Sequence, residues 1–472
     1  MTRIAAPFRA VGRMRPGRFA VFLFALGLIP RLIVVLLLGQ SPLGVDEVEY
    51  DLIAANLASG QGYSWYMGLP TAFRPPGYVF FLSAIYAVAG HNFYIARIVQ
   101  AVITGFHAVL TYAVGRRIFG EQAGRWGGVF VAAYVPLVLY AVGLLTENLF
   151  IPVLLLSVLF LLRSREERRW RWTIAAGLTL GAAVLIRPDF TLFLALLLPW
   201  YGLPDRSWRR AAAQTGVICG IVAVMVIPWC IRNYNHTGQF VYLDTRPGYN
   251  LYIGYREDAD GSFDMDAAIE LAELYRDAMI SGEAESDVIM HNWGKEQALA
   301  FIRAHPLRAL GLVPLRFMHF WSLEHRMFLF AYSYNYVGAL PPAAVIGLMA
   351  LLMSPFAFLC LAGVVGTAYA ERNAGLALLL LLLAYYTALH CAVFGEARLH
   401  FPLVPIIAMA AGAGVGFLPR FLKGQGGDRR RRAAAAAVMV GLIAMWSWGV
   451  AESVDRWKVV LSPGGNTAQL PY

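Results

Sequence analysis

The sequence has 472 residues, of which 59% are hydrophobic and 14% are charged. Soluble proteins carry about 25% charged residues, so this composition, together with many long apolar runs, excludes an ordinary soluble enzyme and predicts a polytopic membrane protein. The runs are too long for barrel strands, and we therefore expect an all-α fold. The net charge of +10 comes from arginines gathered in short loops, which is typical of cytoplasmic loops and not of nucleic-acid binding.

The first predicted span covers residues 19–39 and follows a short segment that contains five arginines. This segment lacks the small-residue cleavage site of a signal peptide, so we expect an uncleaved first helix with a cytoplasmic N-terminus. Arg31 lies within the span, where a charge needs a partner in the bundle or at the outer interface.

Residues 40–78 form the longest polar interruption in the first half of the chain. A loop that only joins two spans needs about 4 to 6 residues, so this one predicts chemistry at the membrane surface. Residues 45–59 are predicted to form an amphipathic helix on the membrane. Residues 76–90 are apolar but short for a span, which favours an interfacial or re-entrant segment. The loop opens with four carboxylates and closes with an arginine motif: Asp46, Glu47, Glu49 and Asp51, then Arg74-Pro75-Pro76-Gly77-Tyr78.

Ten further spans are predicted, which gives eleven in all, or thirteen if residues 306–353 contribute three instead of one. All basic loops then fall on one side of the membrane. The polar region 233–307, with helices near 266–280 and 293–304, and the tail 451–472 are expected outside the cell. The chain thus divides into a transmembrane module at 1–232, the polar region, C-terminal helices at 308–450 and the tail. The ten spans are 93–114, 124–143, 149–162, 173–186, 190–203, 212–231, one within 339–369, 374–393, 401–417 and 433–450.

The motifs of soluble enzymes are absent from the sequence. It contains no Walker loop, no dinucleotide-binding GxGxxG, no HExxH and no GxSxG. All four cysteines lie in apolar runs without metal-ligand spacing, so we predict neither a disulfide nor a zinc site. Charges of both signs gather at the predicted outer face instead, and active sites need such mixed charge in a concave place. These outer residues are Asp46, Glu47, Arg74, Glu147, Arg187, Arg232, Arg398 and His400.

Several motifs in a fixed order resemble those of bacterial glycosyltransferases of family 39, from about Arg31 to Phe401. That family has the GT-C fold and is related to protein O-mannosyltransferases and to the lipid A aminoarabinose transferase. The resemblance implies a helical bundle of about 11–13 transmembrane helices with extracytoplasmic loops. The motifs are the Asp46-Glu47 pair, the Arg74 motif, Gly115-Arg116-Arg117-Ile118-Phe119-Gly120, Leu145-Thr146-Glu147-Asn148-Leu149-Phe150, Arg187-Pro188, Pro228-Trp229-Cys230-Ile231-Arg232-Asn233, Gly248-Tyr249-Asn250-Leu251-Tyr252-Ile253-Gly254 and Glu396-Ala397-Arg398-Leu399-His400.

The resemblance implies an inverting enzyme of the inner membrane that takes a monosaccharide from a polyprenyl-phosphate carrier and passes it to an acceptor hydroxyl on the extracytoplasmic face. Asp46 matches the family's catalytic aspartate, and an inverting displacement needs such a base. A phosphate leaving group needs cations, for which Arg74, Arg398 and Arg232 are the candidates. Supporting or substrate-contacting roles fall to Glu47, Glu147, Tyr78, Arg187, Asn250 and His400.

The expected partners are the lipid-linked sugar donor, membrane lipids and a glycan, lipid or protein acceptor. No cofactor and no divalent metal is expected, because arginines alone can meet a lipid monophosphate. The aminoarabinose branch tends to have lysine where Arg74 stands, and relatives often have an aromatic residue where His400 stands, so the acceptor and the role of His400 stay open.

Structural explanations compete with these assignments. Asp46 and Glu49 have the spacing of a capping box at a helix start. Glu147 could cap the fourth span, and Arg187 could mark a break between two helices. Arg398 stands where a snorkelling arginine is common.

Two other functions are open as well. A lipid-linked sugar flippase would need charged residues along a path through the membrane, and Arg31 is the clearest candidate for that. A scaffold of envelope synthesis would not need the outer carboxylates.

Overall fold

The computed structural model describes residues 14–468 except 42, 66–67, 204–205, 281–285, 325–327, 330–331 and 336–337. The N-terminal segment before residue 14, the last four residues of the tail and Phe330 therefore lie outside the described residues. Over the described part, helices are the regular structure, and a single isolated bridge joins Ser64 to Pro70. The predicted all-α class is confirmed.

The first half of the described chain forms ten α-helices and two 3₁₀ segments. They are α1 Pro16–Leu38, α2 Val45–Ala58, α3 Pro76–Ala89, α4 Phe93–Ile118, α5 Glu121–Ala132, α6 Val135–Leu139, 3₁₀ Tyr140–Val142, α7 Glu147–Glu167, α8 Trp170–Ile186, 3₁₀ Pro188–Leu196, α9 Leu197–Gly202 and α10 Trp208–Thr237. The second half follows with α11 Arg246–Gly254, α12 Met265–Ile280, α13 Ser286–Ala304, α14 Pro306–Phe320, α15 Pro342–Tyr369, α16 Ala374–Ala392, 3₁₀ Ala397–Leu403, α17 Val404–Leu422, α18 Arg429–Glu452, α19 Val454–Leu461 and 3₁₀ Gly465–Thr467.

Eight of the described helices are long and apolar enough to cross a membrane, and up to ten if each of two bent pairs is one span. Nine of the eleven predicted spans coincide with these, including the pair α5 and α6, which bends by 54°. The other two predicted spans are shorter: α8 has 17 residues, and residues 188–202 divide into a 3₁₀ segment and the six-residue α9. The second bent pair, α13 and α14, turns by 108°.

Small residues allow the long helices to pack closely. α15 and α17 approach so tightly that a Cβ atom on Gly366 or Gly414 would clash with a backbone carbonyl of the other helix. Such contacts are common where helices pack in lipid, because the hydrophobic effect contributes little there and close van der Waals contact takes its place.

The polar loop between α1 and α3 folds against the polar region that follows α10. Asp287, at the start of α13, accepts hydrogen bonds from Thr71 Oγ1 at 3.0 Å and from the Ala72 backbone N–H at 2.6 Å. The Thr245 N–H donates to the Ala72 carbonyl at 3.0 Å. These bonds fix the strand-like segment that leads to Arg74.

The helix predicted over residues 45–59 is present as α2. Its N-cap is Gly44, and no side chain caps it. The capping-box explanation of Asp46 and Glu49 is therefore wrong: Asp46 is the second residue of the helix, and both side chains are directed to arginines instead.

Candidate active site

Asp46 is held by two arginines that come from distant parts of the chain. Arg74 Nη2 donates to Asp46 Oδ1 at 2.6 Å, and Arg398 Nη1 donates to Asp46 Oδ2 at 3.0 Å. The Asp46 side chain keeps 32% of its surface exposed. The first turn of α2, the segment before α3 and the 3₁₀ segment before α17 thus meet at one accessible carboxylate.

Two further carboxylates extend this cluster. Glu49 lies one helical turn after Asp46, and its Oε2 accepts from Nε of Arg74 at 2.5 Å and also from Nη2. Glu396 Oε2 lies 3.2 Å from Nε of Arg398. We refer to Asp46, Glu49, Arg74, Glu396 and Arg398 as the charged cluster. Neither Glu49 nor Glu396 was predicted to be a site residue, although the i, i+3 spacing from Asp46 indicates that Glu49 shares its helix face.

Aromatic side chains fix the position of Arg74. Its guanidinium carbon lies 4.7 Å from the ring centre of Tyr50 and 5.3 Å from that of Phe73. The Tyr63 hydroxyl donates to the Arg74 carbonyl at 2.7 Å. With these contacts and two carboxylates around it, the guanidinium is oriented before any ligand arrives.

The two carboxylates that accept from Arg74, those of Asp46 and Glu49, have pKa values shifted in opposite directions. Burial disfavours the charge on Asp46, but the guanidinium groups of Arg74 and Arg398 outweigh it and hold the pKa of Asp46 well below its usual range. Burial raises the pKa of Glu49, and the attraction of Arg74 offsets this only in part. Asp46 is therefore ionised across the physiological range, whereas Glu49 takes up a proton more readily.

Helix α11 contributes the rim of the cluster. Arg246, its first residue, pairs with Asp244 at 3.0 Å and lowers the pKa of Glu49. Tyr249 is near enough that the charges of Asp46 and Glu49, after burial, help to raise its pKa. Asn250 follows on the same helix and is half-buried.

Among the residues that the structure describes, Glu47 and Glu147 share no hydrogen-bonding partner with Asp46. Glu47 Oε2 accepts from Arg97 Nη2 at 2.9 Å and from the Leu144 N–H at 3.1 Å. Glu147, the first residue of α7, pairs with Arg187 Nη2 at 2.8 Å. Both acids thus form their own buried ion pairs, so any role in substrate positioning stays a prediction for them and for Arg187.

Three other predicted residues lie apart from Asp46. Arg232 donates to the backbone carbonyls of Thr71 at 2.6 Å and Tyr63 at 3.0 Å, which supports the segment before Arg74. Tyr78 is buried, and its hydroxyl donates to Gln100 Oε1 at 2.6 Å. His400 is fully buried, with its Nε2 3.2 Å from Glu324 and its ring stacked on Phe356 at 3.9 Å. A contact between His400 and the donor or acceptor, suggested by its place in the motif that contains Arg398, stays a prediction.

No group of three or more His, Cys, Asp or Glu residues suited to a metal occurs within the described part of the chain. All four cysteines are unpaired, two of them half-buried and two buried. The expected independence from metal stays a prediction.

The whole fold is similar to that of an archaeal oligosaccharyltransferase. The apo enzyme of Archaeoglobus fulgidus matches with a TM-score of 0.51 over 98% of this chain and 61% of that one, at 14% identity. The same organism's enzyme AglB, in complex with an inhibitory peptide and a dolichol-phosphate, matches with a TM-score of 0.50 over 97% of this chain and 60% of that one, also at 14% identity. The helical bundle therefore has the GT-C fold.

Sequence similarity narrows this class. Residues 73–231 match the family model of dolichyl-phosphate-mannose-protein mannosyltransferases. The undecaprenyl phosphate-alpha-4-amino-4-deoxy-L-arabinose arabinosyl transferase 2 of Pseudomonas fluorescens is 27% identical over 209 residues, which is 41% of this chain and 35% of that relative. The chain is thus similar in part of its sequence to protein mannosyltransferases and to an aminoarabinose transferase, and the resemblance stated from the motifs is confirmed. The family match begins after Asp46 and ends before Arg232, so it includes Arg74, Glu147 and Arg187.

Proposed function

We propose that this protein is a membrane glycosyltransferase that moves a monosaccharide from a polyprenyl-phosphate carrier to an acceptor hydroxyl at the extracytoplasmic face. The observation that carries the proposal is the accessible Asp46 carboxylate between the guanidinium groups of Arg74 and Arg398. The fold supports it, as do the names of the relatives, which act on sugars carried by undecaprenyl or dolichyl phosphate.

Arg74 and Arg398 form the proposed binding site of the donor phosphate. Guanidinium groups bind phosphate through paired N–H donors, and the negative charge on the leaving oxygen grows as the sugar departs. In the structure, Asp46 accepts hydrogen bonds from both arginines, as a phosphate would. When a donor phosphate takes over Arg398, the carboxylate becomes available to a hydroxyl.

Asp46 is the proposed base. The acceptor oxygen forms a bond to the anomeric carbon on the face opposite the phosphate, and its proton passes to the Asp46 carboxylate. The bond between the anomeric carbon and the phosphate oxygen breaks, and its electron pair leaves with the polyprenyl phosphate. One displacement of this kind inverts the anomeric configuration. Arginine supplies the charge that this leaving group needs, and we expect chelators to leave the rate unchanged.

An apolar groove is the proposed site of the isoprenoid chain. It has a volume of about 530 Å³ and lies between the 3₁₀ segment Pro188–Leu196 and α10. Trp229, next to the groove residue Cys230, packs its ring 4.7 Å from that of Tyr63, whose hydroxyl binds the Arg74 carbonyl. This arrangement connects the groove to the charged cluster. Its lining includes Leu194, Val222, Val226, Cys230, Phe240 and Tyr242.

The experiment is a donor screen with purified protein in detergent. Short-chain polyprenyl-phosphate sugars and an envelope extract as acceptor are supplied, and release of free polyprenyl phosphate is followed for the wild type and for Asp46→Asn. We expect release by the wild type with one class of donor, which identifies the sugar. If no donor is used by folded protein, the transferase proposal fails, and lipid translocation in vesicles tests the flippase alternative.

A further inference from the structure

The charged cluster holds more carboxylates than guanidinium groups. Three acids, Asp46, Glu49 and Glu396, share the two cations Arg74 and Arg398. The next cation, Arg246, already has Asp244 as its own partner. Each arginine thus contacts two carboxylates, and Asp46 and Glu49 lie together on Arg74. An anionic donor would add a further negative charge in a half-buried place, where charge repulsion is poorly screened.

Glu49 is the carboxylate best placed to relieve this repulsion between negative charges. Both oxygens of Asp46 accept from arginines, whereas every hydrogen bond of Glu49 uses Oε2. Its Oε1 has no hydrogen-bond partner among the residues that the structure describes. A proton on Oε1 would leave Oε2 free to accept from Arg74 as before, so the geometry of the cluster survives protonation.

The surroundings of Glu49 agree with this role. The side chain keeps 17% of its surface exposed, which gives protons from water access to it. Burial raises the pKa of this group above its ordinary value. The charged and titratable groups that act on it come from its own helix, from the segment before α3 and from α11: Asp46, Arg74, Arg246 and Tyr249.

We propose that binding of the anionic donor is coupled to the uptake of one proton by Glu49. This inference rests on the proposed function, because it concerns the same phosphate-binding site. The proton comes from solvent, offsets the charge of the donor phosphodiester and leaves Asp46 ionised to act as the base. Glu49 is therefore a positioning residue, which keeps Arg74 in place and sets the pH range in which the donor binds.

The test is calorimetric binding of farnesyl methyl phosphate to the full chain in detergent. This diester carries one charge that does not change between pH 5 and 8, so any proton exchanged belongs to the protein. Titrations in buffers of different ionisation enthalpy give the number of protons taken up. For the wild type we expect uptake approaching one proton and an affinity that falls by up to about tenfold per pH unit on the alkaline side.

Glu49→Gln mimics the protonated form at nearly the same size. We expect this variant to bind without proton uptake, with an affinity independent of pH and higher than that of the wild type at pH 8. Asp46→Asn removes a negative charge that acts on Glu49, so its proton uptake should be smaller than that of the wild type. Glu166→Gln removes an exposed carboxylate paired with Arg117 and should behave as the wild type.

Each outcome decides between distinct claims. Binding by the wild type without proton uptake, or unchanged uptake in Glu49→Gln, overturns the inference and leaves the proposed function intact. Absence of binding in both the wild type and Glu49→Gln contradicts the proposed phosphate-binding site itself. If Glu49→Gln does not fold, the pH dependence of the wild type alone decides, because a flat affinity contradicts coupling.

Discussion

Neighbouring acids in this chain have different partners because they stand on a helix. Asp46 and Glu47 are adjacent in α2, and adjacent helical side chains do not face each other. Asp46 therefore meets Arg74 and Arg398, while Glu47 meets Arg97, which is 1% exposed. The acidic pair that the family motif presents as one unit divides into a site residue and a residue that fixes α2 to α4.

Replacement of Glu47 by leucine tests this division. The variant leaves the buried Arg97 charge without its carboxylate, and we expect a loss of about 3–5 kcal/mol in the free energy of unfolding. The double variant Glu47→Leu/Arg97→Leu should recover most of this loss, because no buried charge remains unpaired. Thermal unfolding in detergent measures both, and a double variant no more stable than the single one would contradict the assignment.

The ion pairs of Asp46 predict how stability changes with pH. Its pKa in the folded protein lies below the unfolded value of about 3.9, so the stabilisation is complete above that value and is lost as pH falls through the folded pKa. In a Glu49→Gln background, where the neighbouring Glu49 no longer titrates, the difference in unfolding free energy caused by Asp46→Asn should be constant from pH 8 to about 5. It should then shrink below about pH 4. A difference that already changes between pH 7 and 5 would argue against the depressed pKa.

Of the five residues of the charged cluster, three were predicted from the sequence. Asp46, Arg74 and Arg398 stand in motifs whose order matches a family. Glu49 was visible as an acid one turn after Asp46, but a single sequence does not reveal which acids an arginine will bind. The burial of His400 against Phe356 and Glu324 was likewise not visible, because it depends on packing between segments distant in sequence.

At the scale of elements, the site is assembled by helix ends and breaks. The first turn of α2, the residues before α3 and the 3₁₀ segment before α17 each contribute one side chain to the central contact. Hydropathy located the long helices well, since about 20 apolar residues are needed to cross a bilayer. It could not locate the 3₁₀ start of the span near residue 401 or the bend between α5 and α6, because packing produces both.

The loop between α16 and the 3₁₀ segment that contains Arg398 is held in place by the buried side chain of Arg316. Arg316 Nη2 donates to the Gly254 carbonyl at 2.8 Å, and Nη1 donates to the carbonyls of Cys391 and Ala392 at 3.2 and 3.3 Å. A guanidinium at these C-terminal carbonyls stabilises the ends of both α11 and α16. Gly395 packs directly on the backbone of α14 at Arg316.

A pair of glycine substitutions tests this close approach. A Cβ on Gly395 would clash with the Arg316 carbonyl, so Gly395→Ala should displace the loop, lower the unfolding temperature and reduce transfer activity. Gly311→Ala is the matched control on α14, where nothing lies within 4 Å of the added atom. It should be neutral or stabilising by up to about 1 kcal/mol. Equal effects of the two changes would contradict the packing described.

At the scale of the whole molecule, the distribution of charge predicts the orientation. The charged cluster lies with the polar loop 40–78, while the arginine-rich loop between α17 and α18 is expected in the cytoplasm. We predict that a cysteine at Gln61 reacts with an impermeant maleimide in intact cells, in a background without the native cysteines. A cysteine at Gln425 should react only after permeabilisation, and the reverse pattern would place the cluster on the wrong side for the proposed reaction.

Asp46 is proposed to act as the base at the binding site of the donor phosphate. The most direct measurement is the rate of polyprenyl phosphate release with the productive donor, for the wild type and for an Asp46→Asn variant that keeps its fold and binds farnesyl methyl phosphate. Loss of a general base predicts a rate about 10² to 10⁴ times slower in the variant, with donor binding retained or tightened. Full transfer activity in the folded variant would contradict the assignment of Asp46 as the base.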